Sequence, residues 1–206
     1  MPTPADGAVV GNVFTSPSVA DAAQVAREAE RGAGVLLLTG NYAGDVMNFT
    51  AAVDRLVSEG IDARYLVVTD DIASAPVGQE DQRRGIAGDL TVFKVAAAAA
   101  ERGDDLDAVE RLARHANDRT RTLGVAFDGC TLPGSTSPLF TVPDGRMGIG
   151  VGIHGEPGRE RAKITDADSI TQTLFDAVAS DLPFGSGDRV ALMVNGLGGT
   201  PPAELY

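Results

Sequence analysis

Gly34-Val-Leu-Leu-Leu-Thr39 decides the fold class, because a continuous apolar run of this length predicts a strand buried on both faces. A second such run, Arg64-Tyr-Leu-Val-Val-Thr69, follows a polar loop and a helix predicted over residues 46–59. Upstream, Val9–Phe14 is predicted as a strand, and the helix after it is expected to end at Gly32. Alternation of strands and helices predicts an α/β domain with a substantially parallel sheet.

The remaining chain predicts a second group of elements. These are helices over 93–102 and 106–121, strands over 122–129 and around 148–153, a helix over 168–180 and a strand over 189–194. We expect mixed, largely parallel sheets flanked by helices. We also expect a boundary near Leu123, which gives a first subdomain over residues 1–122 and a second over residues 123–206.

Composition excludes several classes of function. The net charge of -12 over 206 residues makes nucleic acid an unexpected partner. One cysteine, Cys130, excludes an internal disulfide framework and a cysteine-rich metal site. The N-terminus does not resemble a signal peptide, and no apolar run has the length needed to span a bilayer. We therefore expect a cytoplasmic protein without a membrane partner.

The stretch Gly148-Ile-Gly-Val-Gly-Ile-His-Gly-Glu-Pro-Gly158 is the strongest candidate for a functional segment. Its glycines and aliphatic residues predict a short buried strand that a ligand or another backbone can approach closely. The end of the stretch has turn chemistry, so His154 is presented where a buried strand ends, with Glu156 two residues later. The alternative is a hydrogen-bonded structural histidine.

Other candidates lie where predicted strands end or in long loops. Asp45 is either a ligand contact or a helix N-cap, and Asp70-Asp71 is either a ligand contact or a solvated pair. Arg83-Arg84 is expected to order the long loop over 70–88 or to be a solvated basic pair. Cys130 is interpreted as structural and His115 as a solvated surface residue.

Six motifs in one order resemble the substrate-binding subunit of dihydroxyacetone kinases. They are Gly11-Asn-Val-Phe-Thr-Ser-Pro-Ser18, Gly40-Asn-Tyr-Ala-Gly-Asp-Val-Met-Asn-Phe49, Arg83-Arg-Gly-Ile-Ala-Gly88, Cys130-Thr-Leu-Pro-Gly134, Gly152-Ile-His-Gly-Glu-Pro-Gly158 and Asn195-Gly-Leu-Gly-Gly-Thr-Pro201. The resemblance covers nearly the whole chain and implies a cytoplasmic ketose phosphotransferase of carbohydrate and glycerol metabolism.

The resemblance also implies roles for particular residues. In the family, the histidine at the position of His154 binds the ketone carbon of the substrate as a hemiaminal. The aspartate at the position of Asp45 hydrogen-bonds the substrate hydroxyls and assists proton transfer. Gly40 and Asn41 begin the same motif and are expected to line the substrate, with Gly40 standing where many members have a lysine. This replacement leaves room for a longer ketose, so erythrulose is expected beside dihydroxyacetone.

Family resemblance places the phosphate source on a separate helical subunit or domain, as ATP, or as ADP recharged by a phosphocarrier, with magnesium. We therefore expect this chain to bind no metal or nucleotide itself, and to have a short ketose and that helical subunit as partners. Family members are usually dimers, so a homodimer is a further expectation.

Two features of the sequence leave alternatives open. The ten residues before Gly11 hold neither the family's glycine-rich block nor its general-base histidine, and the family's sequence continues past the final motif. The alternatives are a non-catalytic ketose sensor or regulator, and a truncated fragment that is inactive.

Overall fold

The computed structural model describes residues 5–182 and 184–205, which form two compact units. The first unit consists of the described residues up to Asp70 together with Arg84–Thr120. The second unit consists of Asp71–Arg83 together with the described residues from Arg121 onward. Neither unit is one continuous piece of chain. The subdomain boundary near Leu123 stays a prediction.

Helices and strands alternate in the first unit and are mixed in the second. The first unit contains α1 (Val19–Ala29), β1 (Val35–Gly40), α2 (Ala43–Ser58), β2 (Ala63–Val68), α3 (Gly88–Glu101) and α4 (Leu106–Asp118). The second contains a 3-10 turn (Glu80–Gln82), β3 (Val125–Ala126), β4 (Arg146–Ile149), β5 (Glu160–Lys163), α5 (Ala167–Asp181) and a 3-10 turn (Pro202–Leu205). The mixed α/β class predicted from the sequence is confirmed.

A parallel pair of strands forms the centre of the first unit, with β1 and β2 in register from Val35 opposite Ala63 to Gly40 opposite Val68. Leu37 packs with buried residues of α1 and α2, while Leu66 and Val68 pack with those of α3 and α4. Each strand is therefore covered on both faces. For this reason the two strands consist of continuous apolar residues and do not alternate between apolar and polar residues.

The second unit has an antiparallel sheet in the order β3-β4-β5. Its segment 71–83 is held by Arg83, whose side chain is fully buried. The Arg83 guanidinium donates to the backbone oxygen of Ala75 at 3.0 Å and to both carboxylate oxygens of Asp181 at 2.7 and 2.8 Å. Arg121 donates to the same carboxylate at 2.6 Å. The prediction that Arg83 orders the long loop is confirmed.

Two predicted strands are wrong. Residues 9–11 have no regular secondary structure, and residues 12–14 form a bend and a turn. The Asn12 side chain accepts the backbone N–H of Val13, and the Asn12 carbonyl accepts that of Thr15. Residues 189–194 belong to neither sheet, and Val190, Leu192 and Val194 are exposed. A strand needs a partner for its backbone, and no described strand pairs with this segment. Among the described helices, none is long and apolar enough to cross a bilayer.

Candidate functional site

His154 lies in the loop that joins β4 to β5, five residues after the strand ends. The loop begins at Gly150, which has a positive φ of 73° and donates its N–H to the Gly124 carbonyl at 2.8 Å. It returns at Arg159, whose N–H donates to the Ile149 carbonyl at 2.8 Å. Gly158 permits this return, since a Cβ atom there would lie 2.3 Å from the Ile149 oxygen. The glycines therefore close the loop on the end of β4 and hold the histidine between them.

Glu156 fixes the orientation of the His154 ring. One carboxylate oxygen lies 2.8 Å from ring atom Nδ1, and the other accepts the backbone N–H of His154 at 3.0 Å. Burial opposes ionisation of Glu156, but the hydrogen bonds from the His154 ring and from backbone N–H groups outweigh it and lower the pKa of the carboxyl. An ionised carboxylate only accepts hydrogen bonds, so Nδ1 is the donor. In the neutral ring this tautomer places the lone pair on Nε2.

Phe140 packs on the loop beside His154. A Cβ atom at Gly155 would lie 2.6 Å from ring atom Cδ1 of Phe140, and Gly155 has a φ of 90°. Phe140 follows the Cys130-Thr-Leu-Pro-Gly134 motif, and that segment closes where the Leu139 N–H donates to the Cys130 carbonyl at 2.8 Å. Cys130 itself is exposed, which does not support the structural role predicted for it. The described geometry gives Phe140, which the sequence analysis missed, a packing role at the histidine loop.

In the first unit, Asp45 lies in the first turn of α2, just after the carboxyl end of β1. It is not an N-cap, because the cap position is Tyr42, without a side-chain cap. Gly40 is the last residue of β1, and Asn41 follows it in a bend. A Cβ atom at Gly40 would lie 3.0 Å from the Tyr42 ring and 3.2 Å from the Gly85 oxygen. The space next to Gly40 is therefore occupied by protein at that point.

Asp70 is buried and binds the turn that precedes α3. Its two carboxylate oxygens accept the N–H groups of Ile86 and Gly88, each at 2.8 Å. A Cβ atom at Gly88 would lie 2.4 Å from Cγ of Asp70, and one at Gly85 would lie 2.6 Å from Cα of Gly40. Gly85 and Gly88 therefore let the backbone before α3 approach Gly40 and Asp70 closely. Asp70 is fully buried, so its interpretation as a solvated residue was wrong, and the ligand contact stays a prediction.

Asp89 lies in the first turn of α3, and its pKa is shifted far from the ordinary value of an aspartate. Burial, the Asp70 carboxylate and the Asp45 carboxylate together raise its pKa to about 7. Its Oδ1 atom is buried without a hydrogen-bond partner. The sequence analysis missed Asp89, because an aspartate in the first turn of a helix is favourable for the helix dipole alone and needs no other explanation.

The candidate residues thus fall into two groups. Gly40, Asn41 and Asp45 lie at the carboxyl end of β1 in the first unit, and His154 with Glu156 lies in the second. Among the described residues, no group of three or more His, Cys, Asp or Glu side chains is arranged to hold a metal ion.

Comparison with known proteins identifies the family of this chain. The Dak1 domain matches residues 3–206. The chain belongs to the Dak1 domain family. This confirms the family predicted from the six motifs.

Two curated relatives of this Dak1 domain, one a kinase and one a kinase subunit, are longer than the chain. It is 63% identical to the D-erythrulose kinase of Mycolicibacterium smegmatis, over 98% of this chain and 35% of the relative. It is 43% identical to the dihydroxyacetone-binding subunit DhaK of the PTS-dependent dihydroxyacetone kinase 2 of Listeria innocua, over 98% of this chain and 60% of the relative.

A solved structure agrees with the same family. The dihydroxyacetone kinase of C. freundii superposes with a TM-score of 0.86 at 38% identity, over 95% of this chain and 35% of that one. The Dak1 domain described here therefore spans about a third of that kinase and of the D-erythrulose kinase.

Proposed function

We propose that this Dak1 domain is the ketose-binding part of a dihydroxyacetone-kinase-like phosphotransferase. It anchors a short ketose, dihydroxyacetone or erythrulose, on His154 as a hemiaminal, and Asp45 hydrogen-bonds the hydroxyls of the substrate. A helical nucleotide-binding subunit or domain then supplies the phosphoryl group from ATP, or from ADP recharged by a phosphocarrier, with magnesium. The observation that carries the proposal is the 2.8 Å contact between Glu156 and Nδ1 of His154.

The held tautomer suits a nucleophilic histidine. The Nε2 lone pair attacks the ketone carbon, and the C–N bond forms while the carbonyl π electron pair moves to oxygen, which takes a proton from solvent water. The ring would become positively charged, and Glu156 accepts the Nδ1 proton as this charge develops. One proton is lost and one is gained, so the step needs no oxidant or other reactant. Only a carbonyl compound reacts in this way, which favours ketoses over polyols.

Names of the relatives support the substrate class, because one acts on D-erythrulose and another binds dihydroxyacetone. Anchoring through the carbonyl carbon leaves the terminal hydroxyl of either ketose available for attack on a phosphate. The proposed partners are therefore a short ketose and the helical subunit.

Replacing His154 with alanine is expected to abolish the covalent adduct. The measurement is a carbon-13 NMR spectrum of carbonyl-labelled dihydroxyacetone, and then of labelled erythrulose, mixed with the protein. A protein-bound tetrahedral carbon is expected with the parent chain and with His115→Ala, and not with His154→Ala. His115 is the matched control because it is the chain's second histidine and is exposed on α4. Cooperative melting of the parent with no bound carbon signal from either ketose would refute the proposal.

Replacing Glu156 with glutamine is expected to weaken adduct formation about 10- to 100-fold, the value of a hydrogen bond to a charged group. The amide keeps the shape of the side chain but cannot accept the Nδ1 proton. Nitrogen-15 shifts of the His154 ring check the tautomer directly. Glu160→Gln, an exposed residue of β5, is the control and leaves adduct formation unchanged. An unaltered adduct in Glu156→Gln would show that Glu156 only closes the loop.

Turnover distinguishes the enzyme from the alternative of a ketose sensor. Phosphorylated ketose should appear when the protein is mixed with a helical nucleotide-binding subunit and either phosphate source. Adduct formation without turnover under every such condition would favour the sensor.

A further inference from the structure

One face of the β4–β5 strand pair carries three positive charges. Arg146, Arg161 and Lys163 are exposed, and the register of the two strands places Arg146 directly opposite Lys163. Residues opposite each other in an antiparallel pair share a face, and so do residues two apart in one strand, so the three cations lie on the same side of the sheet. The other side carries Met147 and Ile149, which are buried. Arg146, Arg161 and Lys163 are the basic face of the sheet.

The basic face opposes the folding of its own strands. Like charges directly opposite each other in an antiparallel pair are destabilising, and Arg146 and Lys163 are such a pair. Within residues 5–182 and 184–205, none of the three cations forms an ion pair. Glu160 is in the same strand but pairs with Ile149, on the other side of the sheet. A local arrangement that opposes folding in this way is expected at a functional site.

The basic face lies next to the loop that carries His154. This loop leaves β4 after Ile149 and enters β5 at Glu160, so Arg161 is the second residue of the strand that follows the loop. Lys163 lies two residues farther along the same strand, about 7 Å away. All of these residues belong to the second unit. The cations are therefore near the proposed nucleophile without any contribution from the first unit.

The charge and chemistry of the basic face select an anion with phosphate groups. Arginine and lysine side chains without a counter-charge attract anions, and the planar guanidinium matches the geometry of phosphate. A long polyanion such as nucleic acid is disfavoured, because the chain has 29 acidic and 17 basic residues and a net charge of -12. Three cations on one short strand pair instead match the few phosphate groups of a small molecule.

We propose that the basic face binds the phosphate groups of the phosphoryl donor as it approaches the ketose on His154. This inference rests on the proposed function, which requires an anionic donor to reach that ketose. The donor's phosphates come either from free nucleotide or from nucleotide held by the helical subunit, and both sources present the same chemistry. The basic face acts on the donor and leaves the adduct itself unchanged.

Two variants, Arg161→Gln and Lys163→Gln, test the proposal by steady-state phosphorylation of dihydroxyacetone with the nucleotide-loaded helical subunit. Each is expected to lower kcat/KM for the donor about tenfold at low salt, as for the loss of electrostatic attraction. The difference from the parent should shrink as salt rises, because salt screens exposed charges. Arg189→Gln is the control, since Arg189 is exposed in the same unit but lies outside both sheets.

Two further readouts separate this role from a structural one. The carbon-13 signal of the His154 adduct should keep its parental amplitude in both variants. Lys163→Gln should also melt at or above the parental temperature, because it removes the like charge opposite Arg146. Loss of turnover would then be due neither to unfolding nor to loss of the ketose.

Nitrogen-15 shifts of the Arg161 side chain identify the source of the phosphates. Shifts with magnesium ATP alone would support the proposal with free nucleotide as the source. Shifts with the nucleotide-loaded helical subunit, and not with the empty subunit, would support it with the carried nucleotide as the source. Equal shifts with the loaded and the empty subunit would show that the face binds a protein surface, and would overturn the proposal.

The kinetic result distinguishes failure of this inference from failure of the proposed function. Parental kcat/KM at low salt in both Arg161→Gln and Lys163→Gln would overturn the inference and leave the proposed function standing. A parent that forms no adduct with either ketose would overturn both.

Discussion

Replacing Asp181 with asparagine is expected to lower the free energy of unfolding of the second unit by about 3–5 kcal/mol, the usual cost of removing one partner of a buried ion pair. The Asp181 carboxylate lies between two guanidiniums, those of Arg83 and Arg121, and all three side chains are less than 10% exposed. Asparagine keeps the shape but removes the negative charge that both guanidiniums contact at 2.6–2.8 Å. Differential scanning calorimetry at pH 7 measures the loss.

The dependence of this loss on pH follows from the pKa of Asp181. Burial opposes its ionisation, but the hydrogen bonds and charges of Arg83 and Arg121 outweigh burial and lower its pKa. Its contribution is therefore present above the ordinary carboxyl pKa near 4 and is lost as pH falls through the lower pKa of the folded state. Asp176→Asn, exposed on the same helix, is the matched control. A parental melting temperature in Asp181→Asn at pH 7 would contradict the prediction.

Replacing Asp89 with asparagine is expected to stabilise the first unit, and increasingly so as pH rises. The folded-state pKa of Asp89 is raised to about 7, so the folded chain holds a proton that the unfolded chain loses above about pH 4. The cost to the parent is absent below pH 4, grows between pH 4 and 7 and is complete above 7. Three pKa units correspond to roughly 4 kcal/mol, and partial exposure reduces this to on the order of 3 kcal/mol.

Urea unfolding followed by circular dichroism at pH 5, 6.5 and 8 tests this prediction. The difference in unfolding free energy between Asp89→Asn and the parent should widen across the series. Asp54→Asn provides the comparison, since it makes the same chemical change at an exposed position of the same unit. A difference that is the same at pH 5 and pH 8 would show that Asp89 does not titrate in this range.

Short runs of apolar residues in the sequence correctly predicted the two strands at the centre of the first unit. The strands β1 and β2 are apolar because helices cover both of their faces. Their sequences therefore predict both the strand and its burial. The antiparallel strand β5 was missed, because Glu160-Arg-Ala-Lys163 is charged and mostly exposed. It is a strand only because β4 pairs with it, and such tertiary pairing overrides local propensity.

In the candidate site, too, residues within one local motif were found from sequence, and residues that depend on distant partners were not. His154 and Glu156 were found from sequence because they are two residues apart in one turn motif. Asp89 was not found, since its environment depends on the approach of Gly85 to Gly40 and on a carboxylate 19 residues earlier. Likewise, nothing in one sequence indicates that Arg83 pairs with Asp181, 98 residues away. Partners of this kind are fixed by the folded chain alone.

That separation of 98 residues has a consequence for the time course of synthesis. A ribosome adds about 5–20 residues per second, so Asp181 is synthesised roughly 5–20 s after Arg83. Every residue of the first unit has been synthesised by Thr120, while segment 71–83 still lacks its carboxylate partner. During this interval the segment that belongs to the second unit lies between two completed parts of the first unit, without the carboxylate that holds it in the folded chain.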